Sequence, residues 1–306
     1  MILYFITIIS LVLLAPILLS FIKALKMVLL FKKPISLLQG YRNFSKLMQK
    51  ETIISSETSS ITRYAPFLVL SPLLVTMFFL PPVLKGAYYV SFVDAFTITG
   101  LISLSTFFLM LLGLDSASAF GGMGSSREAF ISALVEPAMV LTVFSVSMMA
   151  GDLGVGQAGV NLAHNFPTKH MSSFLFAAIS FFILLIAENG RIPVDNPETH
   201  LELTMVHEAM ILDLSGVYLA IIEMASSIKF VIFSSLFVSL FIPFGLEYSP
   251  LVAILIFIAK LFGVAIAVAI VEVNMAKLRL FKIPNLLGIS IVFAFLSLIT
   301  FYVLGY

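Results

Sequence analysis

The chain has 306 residues, of which 60% are hydrophobic and only 11% are charged. Soluble domains are about 45–50% apolar and about 25% charged, so this composition indicates a membrane protein and excludes an ordinary soluble enzyme. The formal net charge is +1 and no basic stripe with interleaved aromatic residues is present, so nucleic acid is not a predicted partner. The absence of cysteine excludes disulfides, thiolate metal sites and cysteine-held iron–sulfur clusters within the chain.

Eight apolar segments are long enough to cross a bilayer, because a hydrocarbon core of about 30 Å requires about 20 helical residues. In chain order they are 2–22, 64–84, 95–113, 129–150, 171–187, 217–243, 250–273 and 285–305. Basic residues follow the first segment rather than precede it, which is the wrong order for a cleaved signal peptide. With no internal repeat and no domain boundary, we predict an all-α membrane protein in which residues 1–306 form one domain.

The distribution of lysine and arginine predicts the orientation. Thirteen of the 17 basic residues lie in the loops after the first, third, fifth and seventh segments, and only Lys85 and Lys169 lie in the opposite loops. The positive-inside rule therefore predicts that the basic loops are cytoplasmic and that both termini are outside. The first of these loops, 23–63, has apolar residues near helical spacing between Leu37 and Met48, which favours an amphipathic helix.

The loop after the fifth segment, residues 186–216, is strongly polar. Pro197 follows two polar residues, a pattern typical of a helix start, and Gly216 is a suitable stop because glycine tolerates the left-handed conformation after a helix end. These signals predict a helix over 197–214 that lies at the cytoplasmic face. A second glycine-rich segment, 121–127, lacks the lysine of a phosphate-binding loop and is predicted to form a tight cytoplasmic turn.

A helical wheel of about 100° per residue separates the polar side chains of the predicted helix. One face carries the acids Glu198, Glu202 and Asp213, and the opposite face carries His200 and His207. A further acid, Glu208, lies apart from both faces. The pattern fits either a solvated acidic stripe or crowded carboxylates that share a proton or a partner, with Arg191 the nearest candidate. A zinc site is not predicted, because a second histidine four residues after His207 is absent.

Five ionisable residues lie within the predicted spans, namely Glu136, Glu223, Lys229, Lys260 and Glu272. A charge at the bilayer centre costs roughly 2.5–3.5 kcal/mol on insertion scales, so such residues usually have a function or a partner. Glu223 and Glu272 lie near helix ends, where they could reach water or pair with a lysine, whereas Lys260 is predicted near mid-depth. We interpret the set as a proton or cation pathway whose cytoplasmic mouth is flanked by Glu188 and Asp195.

The segment AENGRIPVDNPETHLEL, residues 187–203, resembles the signature loop of the respiratory complex I membrane subunit that contacts the peripheral arm, an eight-helix subunit. The matching positions are Glu188, Arg191, Pro193, Asp195, Pro197, Glu198 and Glu202. Segments 32–51 and 124–139 resemble that family's first cytoplasmic loop and the stretch around its membrane glutamate, here Glu136. The resemblance covers most of the chain in the same order.

The sequence of the following segment is more similar to one branch of this family. VDNPETHLELTMVHEAMILDLSG, residues 194–216, resembles the membrane subunit of energy-converting nickel–iron hydrogenases and formate hydrogenlyases. Complex I usually has another acid at the position of His200 and Phe-Asp-Leu at 194–196. The resemblance implies a non-catalytic subunit of a prokaryotic cell membrane that binds no cofactor or metal itself. Its partners would be hydrogenase-like large and small subunits and an iron–sulfur subunit, which hold the nickel–iron centre and the clusters, together with other ion-translocating membrane subunits.

The resulting hypothesis is that this chain anchors a cytoplasmic redox arm and couples electron transfer to proton or sodium translocation. The residues assigned to the path and its coupling are Glu136, Glu188, Arg191, Asp195, Glu198, Glu202, Asp213, Glu223, Lys229, Lys260 and Glu272, with His200, His207 and Glu208 as secondary candidates. The equivalent subunit of a quinone-reducing complex I or of a sulfur-reducing complex remains an alternative. A stand-alone secondary transporter is another, although the inverted repeats common in transporters are absent.

Overall fold

The computed structural model describes residues 2–80, 94–164, 170–196, 205–245 and 248–304, and no β-strand is present in these ranges. The helices are α1 (Ile2–Leu29), α2 (Gln39–Met48), α3 (Ile61–Phe79), α4 (Ala95–Asp115), α5 (Ala119–Ala150), α6 (Val155–His164), α7 (Met171–Glu188), α8 (His207–Ile211), α9 (Gly216–Phe241), α10 (Pro250–Asn274) and α11 (Ile283–Leu304). Within the described ranges, eight helices are long and apolar enough to span a membrane: α1, α3, α4, α5, α7, α9, α10 and α11. The predicted number and order of spans are confirmed.

The fourth span, α5, begins ten residues before its predicted start, and the predicted tight turn at 121–127 is wrong. The segment forms the first turns of a 32-residue helix. Ser118 starts the helix, because its side-chain oxygen accepts a hydrogen bond from the Gly121 N–H at 3.0 Å. Gly124 lies where α5 approaches α8, and a Cβ at this position would be 2.9 Å from the Ala209 Cβ. Gly124 therefore permits close helix packing, and the segment is helical rather than a turn.

The helix predicted over 197–214 is also wrong in its described part, since residues 205–206 and 212–214 are not helical. Residues 197–204 lie outside the described ranges. The N–H groups of Val206 and His207 both donate to the Asp195 carboxylate at 3.1 Å, so this side chain caps the start of the five-residue α8. A tertiary contact thus caps the start of α8 at His207.

Helix α9 is the central helix of the bundle and packs against α1, α2, α3, α7 and α10. The C-terminal half of α9 forms an aromatic cluster with α7. The ring of Phe181 lies 6.2 Å from Phe233, 6.2 Å from Phe237 and 5.7 Å from Phe241, measured between centroids. We call the opposite end of the bundle, where α7 ends at Glu188 and α9 begins at Gly216, the loop end.

Buried hydroxyl groups join α5, α7 and α11. The hydroxyls of Thr142 and Ser180 are 2.8 Å apart, and Ser180 donates to the Ser290 carbonyl at 2.9 Å. Interhelical hydrogen bonds between small residues are a usual means of helix association in lipid, where no hydrophobic force drives apolar helices together. These contacts hold the outer helices against the α7–α9 pair.

The close approach of α5 to α8 predicts different effects for two glycines on the same helix. Gly124→Ala must displace Ala209 or the Val206 carbonyl, and overpacking of this kind typically costs about 1–3 kcal/mol. Gly122→Ala meets no atom within 4 Å and adds a better helix former, so it should leave stability unchanged or slightly raised. Thermal aggregation of the detergent-solubilised protein, followed by size-exclusion chromatography, measures both. Equal midpoints for the two variants would contradict the packing described here.

Candidate functional site

The turn after α7 directs two charged residues into the bundle. Gly190 adopts a positive φ of 54°, and the Arg191 N–H donates to the Ile186 carbonyl at 3.0 Å, an arrangement that closes many helices at glycine. The chain then folds back beneath the helix end instead of running out into solvent. As a result Arg191 is buried and Asp195 is only 2% exposed.

Four ion-pair contacts connect this turn with α1, α9 and α10. They join Lys229 with Glu188 at 2.6 Å, Lys277 with Asp195 at 2.6 Å, Arg191 with Glu272 at 3.4 Å, and Lys26 with Glu272 at 3.3 Å. Glu188, Lys229 and Glu272 are all buried. Removing one partner from a buried pair leaves an uncompensated charge, so each contact constrains the position of the others. We call these residues, together with Glu128, the charge cluster.

Asp195 links the charge cluster with the polypeptide that follows. Its carboxylate accepts hydrogen bonds from the Val206 and His207 N–H groups and pairs with Lys277. Nearby, the Arg191 guanidinium lies 5.6 Å from the centroid of the Phe230 ring on α9, a cation–π distance. A movement of the 189–196 turn would therefore displace groups on both sides of α9.

Glu128 belongs to the charge cluster although the sequence analysis did not single it out. It is buried on α5, and its charge interacts with Lys229, Glu188 and Asp195. Adjacent Arg127 donates to the Met205 carbonyl at 2.8 Å, which ties this turn of α5 to the start of α8. The signal for Glu128 in the sequence is the adjacent Arg127–Glu128 pair. It was missed because the fourth span was predicted to begin at residue 129, just after this pair.

The charge cluster is electrically balanced within the described part of the chain. It contains four acids, Glu128, Glu188, Asp195 and Glu272, and four bases, Lys26, Arg191, Lys229 and Lys277. When all eight are ionised the sum is zero, so one bound proton leaves a buried charge of +1. Charge in a low-dielectric interior is costly, and a proton entering the cluster must therefore displace another charge or shift an ion pair.

A cavity of about 330 Å³ opens beside the charge cluster, between α1, α2 and α9. Its polar lining includes Lys23, Arg191, Asp195, His207, Glu208 and Glu223. Burial, followed by the negative charges of Glu223 and Asp195, raises the pKa of Glu208 to about 7, and Lys23 opposes the shift. Glu208 can therefore gain and lose a proton near neutral pH. We call this space the entrance cavity.

Five of the predicted path residues are in the charge cluster, namely Glu188, Arg191, Asp195, Lys229 and Glu272, and Arg191 pairs there with Glu272. Glu223, His207 and Glu208 line the entrance cavity. Asp213 lies apart, exposed beside α3. Glu198, His200 and Glu202 lie outside the described residues.

Lys260, a predicted path residue near mid-depth, caps the end of a neighbouring helix. Its ammonium group donates to the Ile242 carbonyl at 2.6 Å and also to the Phe244 carbonyl, just beyond the end of α9. The last carbonyls of a helix lack intrahelical partners and carry partial negative charge, so a lysine is a favourable cap. Lys229 lies 13 residues before Ile242 and therefore about 20 Å away along the helix. Lys260 thus stabilises the far end of α9.

Glu136 is exposed on the outer surface of α5 instead of facing the interior of the bundle. It lies eight residues after Glu128, about 12 Å further along the same helix. Ala129, Ala133 and Pro137 are exposed on the same side of α5. The chain alone therefore places this carboxylate where it meets lipid or a neighbouring subunit.

The fold and the buried cluster agree with a known protein family, since the family model described as NADH dehydrogenase matches residues 3–303. The chain belongs to the NADH dehydrogenase family. Hydrogenase-4 component C of Escherichia coli (strain K12) is 29% identical over 262 residues, which are 83% of this chain and 81% of that protein. Formate hydrogenlyase subunit 4 of the same organism is 27% identical and covers 86% of both chains.

Members of this family also include proteins named for quinone reduction. An NADH-quinone oxidoreductase subunit from Paraburkholderia xenovorans (strain LB400) is 28% identical over 252 residues, 75% of this chain and 68% of that protein. Among solved structures, a chain of the archaeal membrane-bound sulfane sulfur reductase covers 97% of this chain with a TM-score of 0.85. At 14% identity that likeness concerns the fold. The predicted relationship to hydrogenase and complex I membrane subunits is confirmed.

The raised pKa of Glu208 predicts a pH-dependent stability. Its pKa rises from 4.5 to about 7 on folding, so the folded state binds the extra proton and stability falls as pH increases through this interval. Glu208→Gln removes that loss. The midpoint of thermal unfolding of the variant, minus that of the wild type, should therefore increase between pH 5 and pH 8. The opposite shift of His207 is common to both proteins and cancels.

The control is Glu57→Gln, because Glu57 is exposed in the loop before α3. Its midpoint difference from the wild type should stay constant over the same pH range. A constant difference for Glu208→Gln as well would show that Glu208 does not titrate in the entrance cavity.

Proposed function

We propose that this chain is the membrane anchor and coupling subunit of a hydrogenase-type, ion-translocating oxidoreductase complex. It makes no chemical bond itself. A cytoplasmic arm of hydrogenase-like large and small subunits and an iron–sulfur subunit docks at the loop end and holds the nickel–iron centre and the iron–sulfur clusters. The family membership, the two hydrogenase-named relatives and the absence of cysteine in this chain support the assignment. The loop end faces the cytoplasm of a prokaryotic cell, with both termini outside.

The single observation that carries the coupling hypothesis is the buried Glu188–Lys229 pair. Glu188 directly precedes the turn at 189–196, which carries Arg191 and Asp195. If electron transfer in the arm moves this turn, Asp195 and Arg191 change their distances to Lys229. Because the charge cluster is balanced and poorly solvated, such a change alters which residue carries a proton. Redox energy is thereby converted into a charge displacement inside the membrane.

The displaced charge leaves sideways along α5. The aromatic cluster around Phe181 fills the α7–α9 contact on the far side of the pair, whereas α5 carries Glu128 inside and Glu136 outside. A carboxylate facing hydrocarbon is costly, roughly 2.5–3.5 kcal/mol for an acid at the helix centre. We therefore propose that another ion-translocating membrane subunit covers the exposed face of α5 and receives the proton or sodium ion there.

A quinone-reducing complex is the second candidate, and the entrance cavity is the observation that favours it. Its volume of about 330 Å³ lies at the lower end of small-molecule sites, and it opens between helices of a membrane protein. Its lining is rich in charge, however, with Lys23, Arg191 and three carboxylates. Quinone-dependent turnover of the complex that is lost in Arg191→Lys would support this candidate over the hydrogenase type.

Removal of the buried pair tests the coupling role. The double variant Lys229→Met with Glu188→Gln removes one positive and one negative charge together, so the sum of charges in the cluster stays at zero and the complex should assemble. We expect ion uptake by membrane vesicles to be abolished while dye-linked redox turnover of the arm continues. Lys260→Met is the matched control, because that lysine caps carbonyls at the far end of α9 and its loss should leave ion uptake per turnover intact. Normal ion uptake in the double variant would refute the coupling role.

The absence of cysteine allows a direct test of the α5 surface. Ala133→Cys places a unique thiol one turn before Glu136 on the exposed face, and we expect a short thiol-directed crosslinker to join it to a second membrane subunit of the purified complex. Val292→Cys on α11, which is 56% exposed, is the comparison and should remain uncrosslinked. Mass spectrometry of the product identifies the partner. Efficient labelling of the thiol in the Ala133→Cys variant by a lipid-soluble maleimide, without crosslinking, would show that lipid covers this face.

A further inference from the structure

His207 borders two spaces in the bundle, the entrance cavity and a smaller cleft beside Lys229. On one side it lines the entrance cavity with Glu208 and Glu223. On the other it lines a cleft of about 20 Å³ with Thr106 and Lys229. A space of about 10–15 Å³ is enough for one water molecule when polar partners surround it, so this cleft, the lysine pocket, can hold one water.

A backbone contact holds His207 at the start of α8. Its N–H donates to the Asp195 carboxylate at 3.1 Å, which holds the backbone at the start of α8. Across the lysine pocket, Lys229 donates to the Thr106 hydroxyl at 3.0 Å and pairs with Glu188 at 2.6 Å. His207, Ile222 and Ser226 line both the entrance cavity and the lysine pocket, and the imidazole is the titratable side chain among them.

An imidazole in this place has the chemistry of a proton relay. Its two ring nitrogens differ in the neutral form, so one accepts a proton while the other releases one. Burial, followed by the positive charge of Lys229, lowers the pKa of His207 to about 4, and Asp195 and Glu188 oppose the shift. The ring is therefore neutral at physiological pH and does not retain the proton it receives.

We propose that His207 relays protons between the acids of the entrance cavity and the Glu188–Lys229 pair. A proton from Glu208 or Glu223 binds one ring nitrogen, and the other nitrogen releases its own proton through water in the lysine pocket. Rotation of the ring restores the starting tautomer, so no atom or charge is left over. The inference rests on the proposed function and specifies that the ion entering by this route is a proton.

The test uses the purified complex in proteoliposomes with His207→Ala. We expect proton translocation per unit time to fall about 100-fold, as for loss of a positioned proton-transfer group. Free imidazole added to the medium should restore it, because the entrance cavity is open and larger than an imidazole molecule. His207→Gln, which fills the space without a relay, should be equally slow and should gain nothing from imidazole. His164→Ala is the control, because His164 is exposed on α6.

The outcomes separate the relay from the coupling role. The relay is supported if imidazole restores proton translocation in His207→Ala but not in His207→Gln. Wild-type translocation in either His207 variant overturns the relay, and so does slow translocation of His207→Ala that imidazole does not restore. If the Lys229→Met, Glu188→Gln double variant loses translocation in the same preparation, the proposed function stands even when the relay fails. If the double variant translocates normally, the proposed function fails as well.

Discussion

The structure depends on the cost of placing charge in an apolar bundle. Glu188 and Lys229 are both buried and only 2.6 Å apart, and each is stable there only because the other is present. The same reasoning extends through Glu272, which has two cationic partners, and through Asp195, which binds Lys277 and two backbone N–H groups. Helix ends far apart in the chain are thereby held at one level of the bundle.

A cluster of this kind is suited to coupling because its charges cannot change independently. Four acids and four bases sum to zero in the described part of the chain, and one added proton leaves an excess charge in a poorly solvated space. The 189–196 turn carries two members of the charge cluster, Arg191 and Asp195, and lies at the loop end, where we propose that the cytoplasmic arm docks. A small displacement of the turn therefore has a large electrostatic consequence, whereas the aromatic and hydroxyl contacts among α5, α7, α9 and α11 hold the helices in place.

The surroundings of the charge cluster differ between its two sides. Glu208 and Glu223 line an open cavity on one side, and His207 lies between that cavity and the buried pair. On the other side, α5 leads from buried Glu128 to exposed Glu136. The relatives of the chain include a hydrogenase component and an NADH-quinone oxidoreductase subunit, and exposed Glu136 is where we propose that another membrane subunit receives the ion.

The sequence by itself determined the eight spans, the polar loop after α7 and most of the acids and bases that matter. Long apolar runs can satisfy their backbone in lipid only as helices, and charges among them are rare enough to identify by inspection. It did not determine which charges meet. The Arg191–Glu272 contact joins residues 81 positions apart, and the capping of Lys260 on the α9 carbonyls depends on how two helices end.

Only the tertiary structure decided the remaining points. The Asp195 carboxylate caps the start of α8. Gly124 allows close packing in a segment that was predicted to be a turn and that forms the first turns of α5. This longer helix carries Glu128, which belongs to the charge cluster. Glu136, which looked interior in a linear reading, is on the outside because helical rotation and the neighbours of α5 set the direction of its side chain. Periodicity tells which residues share a helix, whereas packing between helices decides which face is buried and which charges become partners.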